Sequence, residues 1–433
     1  MLCPLLRKIF SDQLKCLSPT TTFTSPALVS SRFASASSLH YHSTLPSLSN
    51  LVAYMQQKFC PRSDIACIHS VSLLNIADSL DIDYDAISHA LTFTAYWSKP
   101  PPAFFDPITA ETFYDSWTVT VDAHADRVEV GVLSAEAAPD PSELQLSGFL
   151  TVVGEDKAPA PTLFSFPSRH RLLPAADSPL QAYRVSFQTP TGLHPTMKLS
   201  FPSSADLRPP TAESEERTCT LHTYLTLPSA IFADKYQLAS TDELFLNSHN
   251  IQALRSIAGE TDLEAPDYVV EKWGSTVLLE LATPGPDSKE KDMSWDVTIP
   301  LHLRYLEPTV NGTSRIRVPW PVVFWACPAD DGTKFPVNPF DRVNLGYDGL
   351  FGPRTMFFHL EPQPLNRTMI EELDVPALDT AAAASAWVES GTVLVVMLGF
   401  FWILWKLWPA IKTGIGELMS DRAGMGQREK KVQ

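Results

Sequence analysis

GTVLVVMLGFFWILW, residues Gly391 to Trp405, carries no charge, and apolar character continues back to Trp387 and on to Trp408 with only Glu389 and Lys406 inside those limits. About 22 helical residues rise ~33 Å, which matches the ~30 Å hydrocarbon core of a bilayer. Trp387 at one end, with Trp405 and Trp408 at the other, suits the two interfaces, and Lys406 can extend its amine to the head groups. No other segment of helical period could surround such a rod and make it a buried core helix. The sequence therefore predicts a transmembrane helix over 387–408, preceded by a short Ala-rich stem at 379–386.

Charge sets the expected orientation. From Lys406 to Gln433 there are six basic residues (Lys406, Lys412, Arg422, Arg428, Lys430, Lys431) and three acidic ones (Glu417, Asp421, Glu429), a tail of +3 within a chain of net −16. The rest of the chain is then −19. Lysine and arginine just beyond a span mark the cytosolic side, so 409–433 is expected to be a cytosolic tail and the acidic body to face the secretory lumen. The terminal EKKVQ puts Lys430 and Lys431 at the fourth and third positions from the end. That is the form of a Lys-Lys-x-x address, read by a retrieval coat that returns membrane proteins to the endoplasmic reticulum. An acidic body repels nucleic-acid phosphates, so nucleic acid is not an expected partner.

The body reads as mainly β. Prolines number 37 against 18 glycines, and they separate short runs rich in Val, Phe, Thr and Tyr, the pattern of strands and turns rather than long helices. WTVTVDAHADRVEVGVL, 117–133, alternates apolar and polar residues around a polar turn at His124–Asp126 and predicts a hairpin with one buried face. Further strands are predicted at 149–154, 183–188, 196–201, 218–227, 276–281, 298–306, 315–327 and 355–362. Pro319 and Pro321 demote part of one run to an edge or bulge. Short strands at turn-punctuated intervals imply β-sandwich-like packing in the lumenal domain or domains. Helices are expected over Ser47–Met55 and around Asn250–Ala258. The stretch 203–217 reads as an exposed loop.

The N-terminus is less regular. MLCPLLRKIF has a short apolar run, and 18–49 is rich in Ser and Thr, so residues 1–48 resemble a transit peptide as much as a secretory signal and are expected to be disordered or removed. An N-terminal, mostly β region is expected over 49–191.

Few residues suggest chemistry. Asp81, Asp83 and Asp85 in DIDYD have the Asp-x-Asp form with which many sugar transferases hold a metal, although alternating acids also suit a solvated strand edge. His222 and His302 fall in strands, where a packed or hydrogen-bonded ring is the plainer reading. GxSxG, HExxH and metal-spaced Cys or His pairs are lacking, and no cofactor is expected. Glycan acceptors occur at Asn311-Gly-Thr, expected at an exposed hairpin tip, and at Asn366-Arg-Thr. Cys60, Cys67, Cys219 and Cys327 allow three pairings in an oxidising compartment, of which Cys60–Cys67 with Cys219–Cys327 is the simplest.

Three separated stretches carry a resemblance. In LPSAIFADKYQLAS (227–240) they include Pro228, Asp234, Tyr236 and Leu238. In LEAPDYVVEKWGSTVLLEL (263–281) they include Glu264, Ala265, Pro266 and Tyr268. In IPLHLRYLEP (299–308) they include His302, Arg304, Tyr305 and Pro308. Together with the following apolar span, 192–408 resembles the PIG-X family, whose fungal members were named for protease B non-derepression. The resemblance implies a lumenal β domain over 192–378 and a single-pass subunit of the endoplasmic-reticulum membrane. It also implies a partner: the polytopic catalytic subunit of glycosylphosphatidylinositol (GPI) mannosyltransferase I, which adds the first mannose to the GPI precursor and which such a subunit binds and stabilises. No catalytic residue is carried over. Two other readings are a lumenal metal-dependent enzyme using Asp81 and Asp83, and a cell-surface binding protein.

Overall fold

The computed structural model describes residues 2–10, 22–25, 39–45, 47–84, 91–96, 128–135, 145–153, 162–167, 169–172, 181–189, 191–203, 207–210, 219–239, 242–284, 294–329, 346–352, 354–365, 368–380 and 382–429. Its strands are β1 (Ser79–Tyr84), β2 (Leu91–Tyr96), β3 (Val128–Ala135), β4 (Gln145–Val153), β5 (Thr162–Pro167) and β6 (His170–Leu172) in the first part of the chain. There follow β7 (Ala182–Phe187), β8 (Thr196–Phe201), β9 (Thr220–Pro228), β10 (Ile231–Phe232), β11 (Ile251–Gly259), β12 (Gly274–Leu281) and β13 (Trp295–Pro300). The last are β14 (His302–Leu303), β15 (Thr313–Pro319), β16 (Val322–Pro328), β17 (Thr355–His359), β18 (Glu361–Pro362) and β19 (Ile370–Pro376). Helices are α1 (Leu2–Phe10), α2 (Ser49–Phe59), α3 (Ile65–Ser72), α4 (Lys235–Leu238), α5 (Glu243–His249) and α6 (Ala382–Glu429).

Two sheets face each other as a sandwich. The larger runs β11-β12-β9-β16-β17-β6 and the smaller β13-β8-β7-β18. Alternation explains the packing: in β8, Met197, Leu199 and Phe201 are buried while Thr196, Lys198 and Ser200 are partly exposed. These side chains share one core with Leu221, Leu225 and Leu227 of β9, Val277 and Leu279 of β12, and Val323 and Trp325 of β16. The larger sheet is covered on its other face too, where Tyr224, Leu278, Phe324 and Phe357 pack with Tyr347. Burial on both sides is why GSTVLLEL in β12 reads as a nearly unbroken apolar run, and every one of its positions is buried. The chain breaks at Trp320 and Pro321, between β15 and β16, because Pro cannot donate to the ladder.

Several expectations are corrected. The stretch 250–258 is strand β11, not helix: α5 stops at Asn250, whose left-handed backbone (φ 55°) closes the helix, and β11 then pairs antiparallel with β12. The helix expected from Ser47 is α2, beginning at Ser49. Of the predicted hairpin over 117–133, residues 117–127 lie outside the described residues, and β3 pairs antiparallel with β4. Within the predicted loop 203–217, Leu207 is buried in the sandwich core. Residues 1–48 contain α1, whose Ile9 and Phe10 are buried against Leu51 of α2, and a bridge between Thr24 and His40. These are apolar contacts made by the segment expected to be disordered or removed.

The chain divides into two compact units, Met1–Leu306 with Arg315–Val375, and Glu307–Ser314 with the residues from Pro376 onward. In the second unit Thr309 bridges Asp379, and α6 begins at Ala382, inside the expected stem. Its stretch Ala386–Pro409, 24 residues with mean hydropathy 1.8 and 0% of its most apolar window buried, is long and apolar enough to cross a membrane.

Candidate docking surface

The three motif stretches, far apart in sequence, meet at the short β10–β14 ladder, where Ile231 pairs with Leu303 and Phe232 with His302. Around it Arg304 donates its backbone N–H to the Ala230 carbonyl, 2.9 Å, and Asp267 donates to the Tyr305 carbonyl, 3.0 Å. Asp234 is a helix cap: its Oδ1 accepts from the backbone of Tyr236, 2.8 Å, and Gln237, 3.4 Å, which satisfies the free amides of α4. Pro266 starts a 3₁₀ turn over Asp267–Val269, where a missing N–H costs nothing. Pro228 ends β9 opposite Gly274. Gly274 has φ 152°, and a Cβ there would collide with the Leu227 carbonyl oxygen, so the close approach requires glycine.

Arg304 ties the three segments together. It is only 3% exposed; Nη1 donates to the Ala265 carbonyl, 2.8 Å, and the guanidinium lies 4.5 Å from the centre of the Phe232 ring. Burial lowers its pKa, opposed by the carboxylates of Glu260, Asp262 and Asp267. His302 stacks on the other partner of the ladder, Phe232, at 5.4 Å. Its Nε2 is 3.1 Å from Gln237 Oε1 and its Nδ1 is 2.9 Å from His194 Nδ1. Burial and the neighbouring His194 lower its pKa. These are positioning contacts, and they hold outward three rings: Tyr236 is 71% exposed, Tyr268 59% and Tyr305 72%. Leu238 points the opposite way, fully buried in the sandwich core. Glu264 is exposed and donates its N–H to Asp262 Oδ1, 2.9 Å. Pro308 belongs to the second unit.

The remaining candidates are scattered. Asp81 and Asp83 stand in β1 opposite Thr94 and Thr92 of β2; Asp85 lies outside the described residues. No group of three or more His, Cys, Asp or Glu suited to a metal occurs among the described residues. His222 is buried on the back of the larger sheet, its Nδ1 donating to the Thr220 carbonyl at 3.1 Å and its ring stacked on Phe324. Glu280, 4.0 Å away, is already paired with Arg255. Burial therefore prevails, and the His222 pKa falls to about 4. Nothing in the sequence marked the companion cluster, in which His170 contacts Asp348 and His359 at 3.2 Å each, because its members are 178 and 189 residues from His170.

Asn311 is exposed at a turn closed by Gly312 N–H to Thr309 O, 3.4 Å. The turn leads into β15, whose partner is β19, so the expected hairpin tip is instead a turn between non-partners. Asn366, Lys430 and Lys431 lie outside the described residues. Cys60 is bonded to Cys67, joining α2 to α3, and Cys219 to Cys327, joining β9 to β16. Those strands are hydrogen-bonded neighbours, which brings the second pair within reach.

A β-sandwich body with an exposed tyrosine face, continued by one helix of membrane-spanning length and composition, is the class of protein these features define. Residues 190–408 match the PIG-X / PBN1 family. Protein pbn1 of Emericella nidulans is 50% identical over 415 residues, covering 94% of this chain and 75% of that protein. Protein pbn1 of Neurospora crassa is 44% identical, covering 99% and 79%. Protein pbn1 of Schizosaccharomyces pombe is 29% identical over 244 residues, covering 55% and 64%. The chain belongs to the PIG-X / PBN1 family.

Proposed function

We propose that this chain is a non-catalytic, single-pass subunit of the endoplasmic-reticulum membrane that binds and stabilises the polytopic mannosyltransferase adding the first mannose to the GPI-anchor precursor. The observation that carries the reading is how the motif residues are used. Asp234 caps a helix, His302 and Arg304 pack on Phe232, and Tyr236, Tyr268 and Tyr305 face outward. Exposed aromatic rings on a rigid support suit binding, whereas acid–base chemistry needs titratable groups converging on a cleft. Membership of the PIG-X / PBN1 family supports a place in GPI-anchor biosynthesis, and the mannosyltransferase partner is part of the proposal.

The body stands in the lumen on this reading, tethered by α6, so that it sits at high effective concentration beside the lumenal loops of its partner. Asn311 and Asn366 carry glycans there, and Lys430 and Lys431 face the cytosol, where the retrieval coat reads them. Depletion of the chain, followed by lipid analysis, tests the proposal. Accumulation of the unmannosylated precursor is expected; unchanged mannosylation would reject it.

A further inference from the structure

We infer that the face built on the β10–β14 ladder is the contact surface itself, and that its occupant is a cationic, aromatic-accepting lumenal loop of the polytopic mannosyltransferase. The inference rests on the proposed function for the partner's identity and on the surface for its chemistry. Tyr236, Tyr268 and Tyr305 are among the most exposed aromatic residues of the sandwich unit. Each is presented by backbone that is pinned from below: Tyr236 by the Asp234 cap, Tyr268 by the turn after Pro266, Tyr305 by the bond from Asp267 to its carbonyl. Rings held in this way lose little freedom on binding, which is why tyrosine is enriched in contact surfaces.

Charge selects the occupant. Between Gly259 and Lys272 the chain carries Glu260, Asp262, Glu264, Asp267 and Glu271 against one lysine, a net of −4. A recess of about 320 Å³ opens in this segment, lined by Glu260, Asp262, Val269, Glu271 and Lys272, whose amine is 3.8 Å from Glu260 and so offsets one of the three carboxylates. Of the basic groups at the face, Arg304 is buried, and Lys235 holds its ammonium over the Tyr236 ring, 5.0 Å from its centre, so the carboxylates of 260–271 set the sign of the charge offered to a partner. A lysine or arginine from the partner would find carboxylates in the recess and the exposed Tyr268 next in sequence to the lining Val269, a setting that favours a cation at an interface. An anionic loop, or the head groups of acidic lipids, would be repelled by the same charges.

Photo-crosslinking in microsomes with the full chain tests this. Benzoylphenylalanine would replace Tyr236 or Tyr305 and, as a remote exposed control, Leu365, which is 84% exposed. Crosslinks from the two tyrosine positions to a Lys- or Arg-bearing lumenal loop of the mannosyltransferase, and none from Leu365, are expected. Tyr236→Ala with Tyr305→Ala should weaken co-purification of the enzyme roughly tenfold or more while leaving the thermal unfolding of the body unchanged, since both rings are exposed. Crosslinks to a second copy of this chain or to lipid, or undiminished co-purification by the double variant, would overturn the inference. If the wild-type chain co-purifies with the enzyme but through another face, only this surface is refuted. If it does not co-purify and mannosylation survives its depletion, the proposed function falls as well.

Discussion

Acidification should destabilise the folded body through His222, and the structure gives the size of the effect. The ring is enclosed between Phe324 and Phe351, its Nδ1–H is committed to the Thr220 carbonyl, and the nearest carboxylate, Glu280, is neutralised by Arg255. A proton on Nε2 would be buried without a free counter-charge, so the pKa drops from 6.5 to about 4. In the unfolded chain the same ring takes up its proton at the ordinary value. Between these two limits the unfolded state binds more protons, so stability is full above about pH 6.5, falls as pH falls, and is lost in full below about pH 4. At about 1.4 kcal/mol for each pH unit, the window holds about 3 kcal/mol. Denaturant unfolding of the purified full chain, followed by tryptophan fluorescence across this range, measures it. His222→Phe keeps an aromatic ring in the slot, forfeits about 1 kcal/mol for the Thr220 bond at every pH, and removes the titration. Wild type should therefore lose about 3 kcal/mol more than the variant between pH 7 and 4. The difference isolates this ring from His42, whose pKa burial also lowers to about 4. Parallel losses in the two proteins would refute the account of the site.

Three further outcomes are expected. Replacing Cys219 and Cys327 by alanine, a pair 108 residues apart, should destabilise the fold by about 5 kcal/mol, against about 2.5 kcal/mol for Cys60 and Cys67, which are 7 apart, because the longer loop restricts the unfolded chain more; denaturant titration of each double variant reads both. Asp81→Ala with Asp83→Ala should leave mannosylation in microsomes at the wild-type level, whereas loss of activity in a folded variant would favour the metal-enzyme reading. Lys430→Ser with Lys431→Ser should shift the chain from the endoplasmic reticulum to later compartments in fluorescence microscopy, and an unchanged distribution would remove the retrieval address.

How much of this was legible beforehand follows the range of the interactions. The uncharged run 391–405 announces a membrane-length helix because the property that matters, apolar length, is local. Alternation in β8 likewise reports one buried face. Where burial is two-sided, as in β12, the period disappears, and the second small core around Tyr347 left no trace in its own sequence. The helix expected at 250–258 failed by one element: the true helix lies just upstream and Asn250 terminates it, a backbone event that apolar spacing does not encode. The docking face shows the same division. Tyr236, Tyr268 and Tyr305 stood out by resemblance, but their convergence depends on a two-residue ladder and a buried arginine, contacts 39 to 72 residues apart. Nor did spacing choose among the three cysteine pairings, which became decidable only once β9 and β16 were neighbours.

The most direct test of the central claim is the lifetime of the mannosyltransferase itself. Pulse-chase labelling of the polytopic enzyme, in cells with and without this chain, should show rapid loss of the enzyme in its absence and recovery when the chain is restored. An enzyme that is equally long-lived, and equally active, without it would contradict the account.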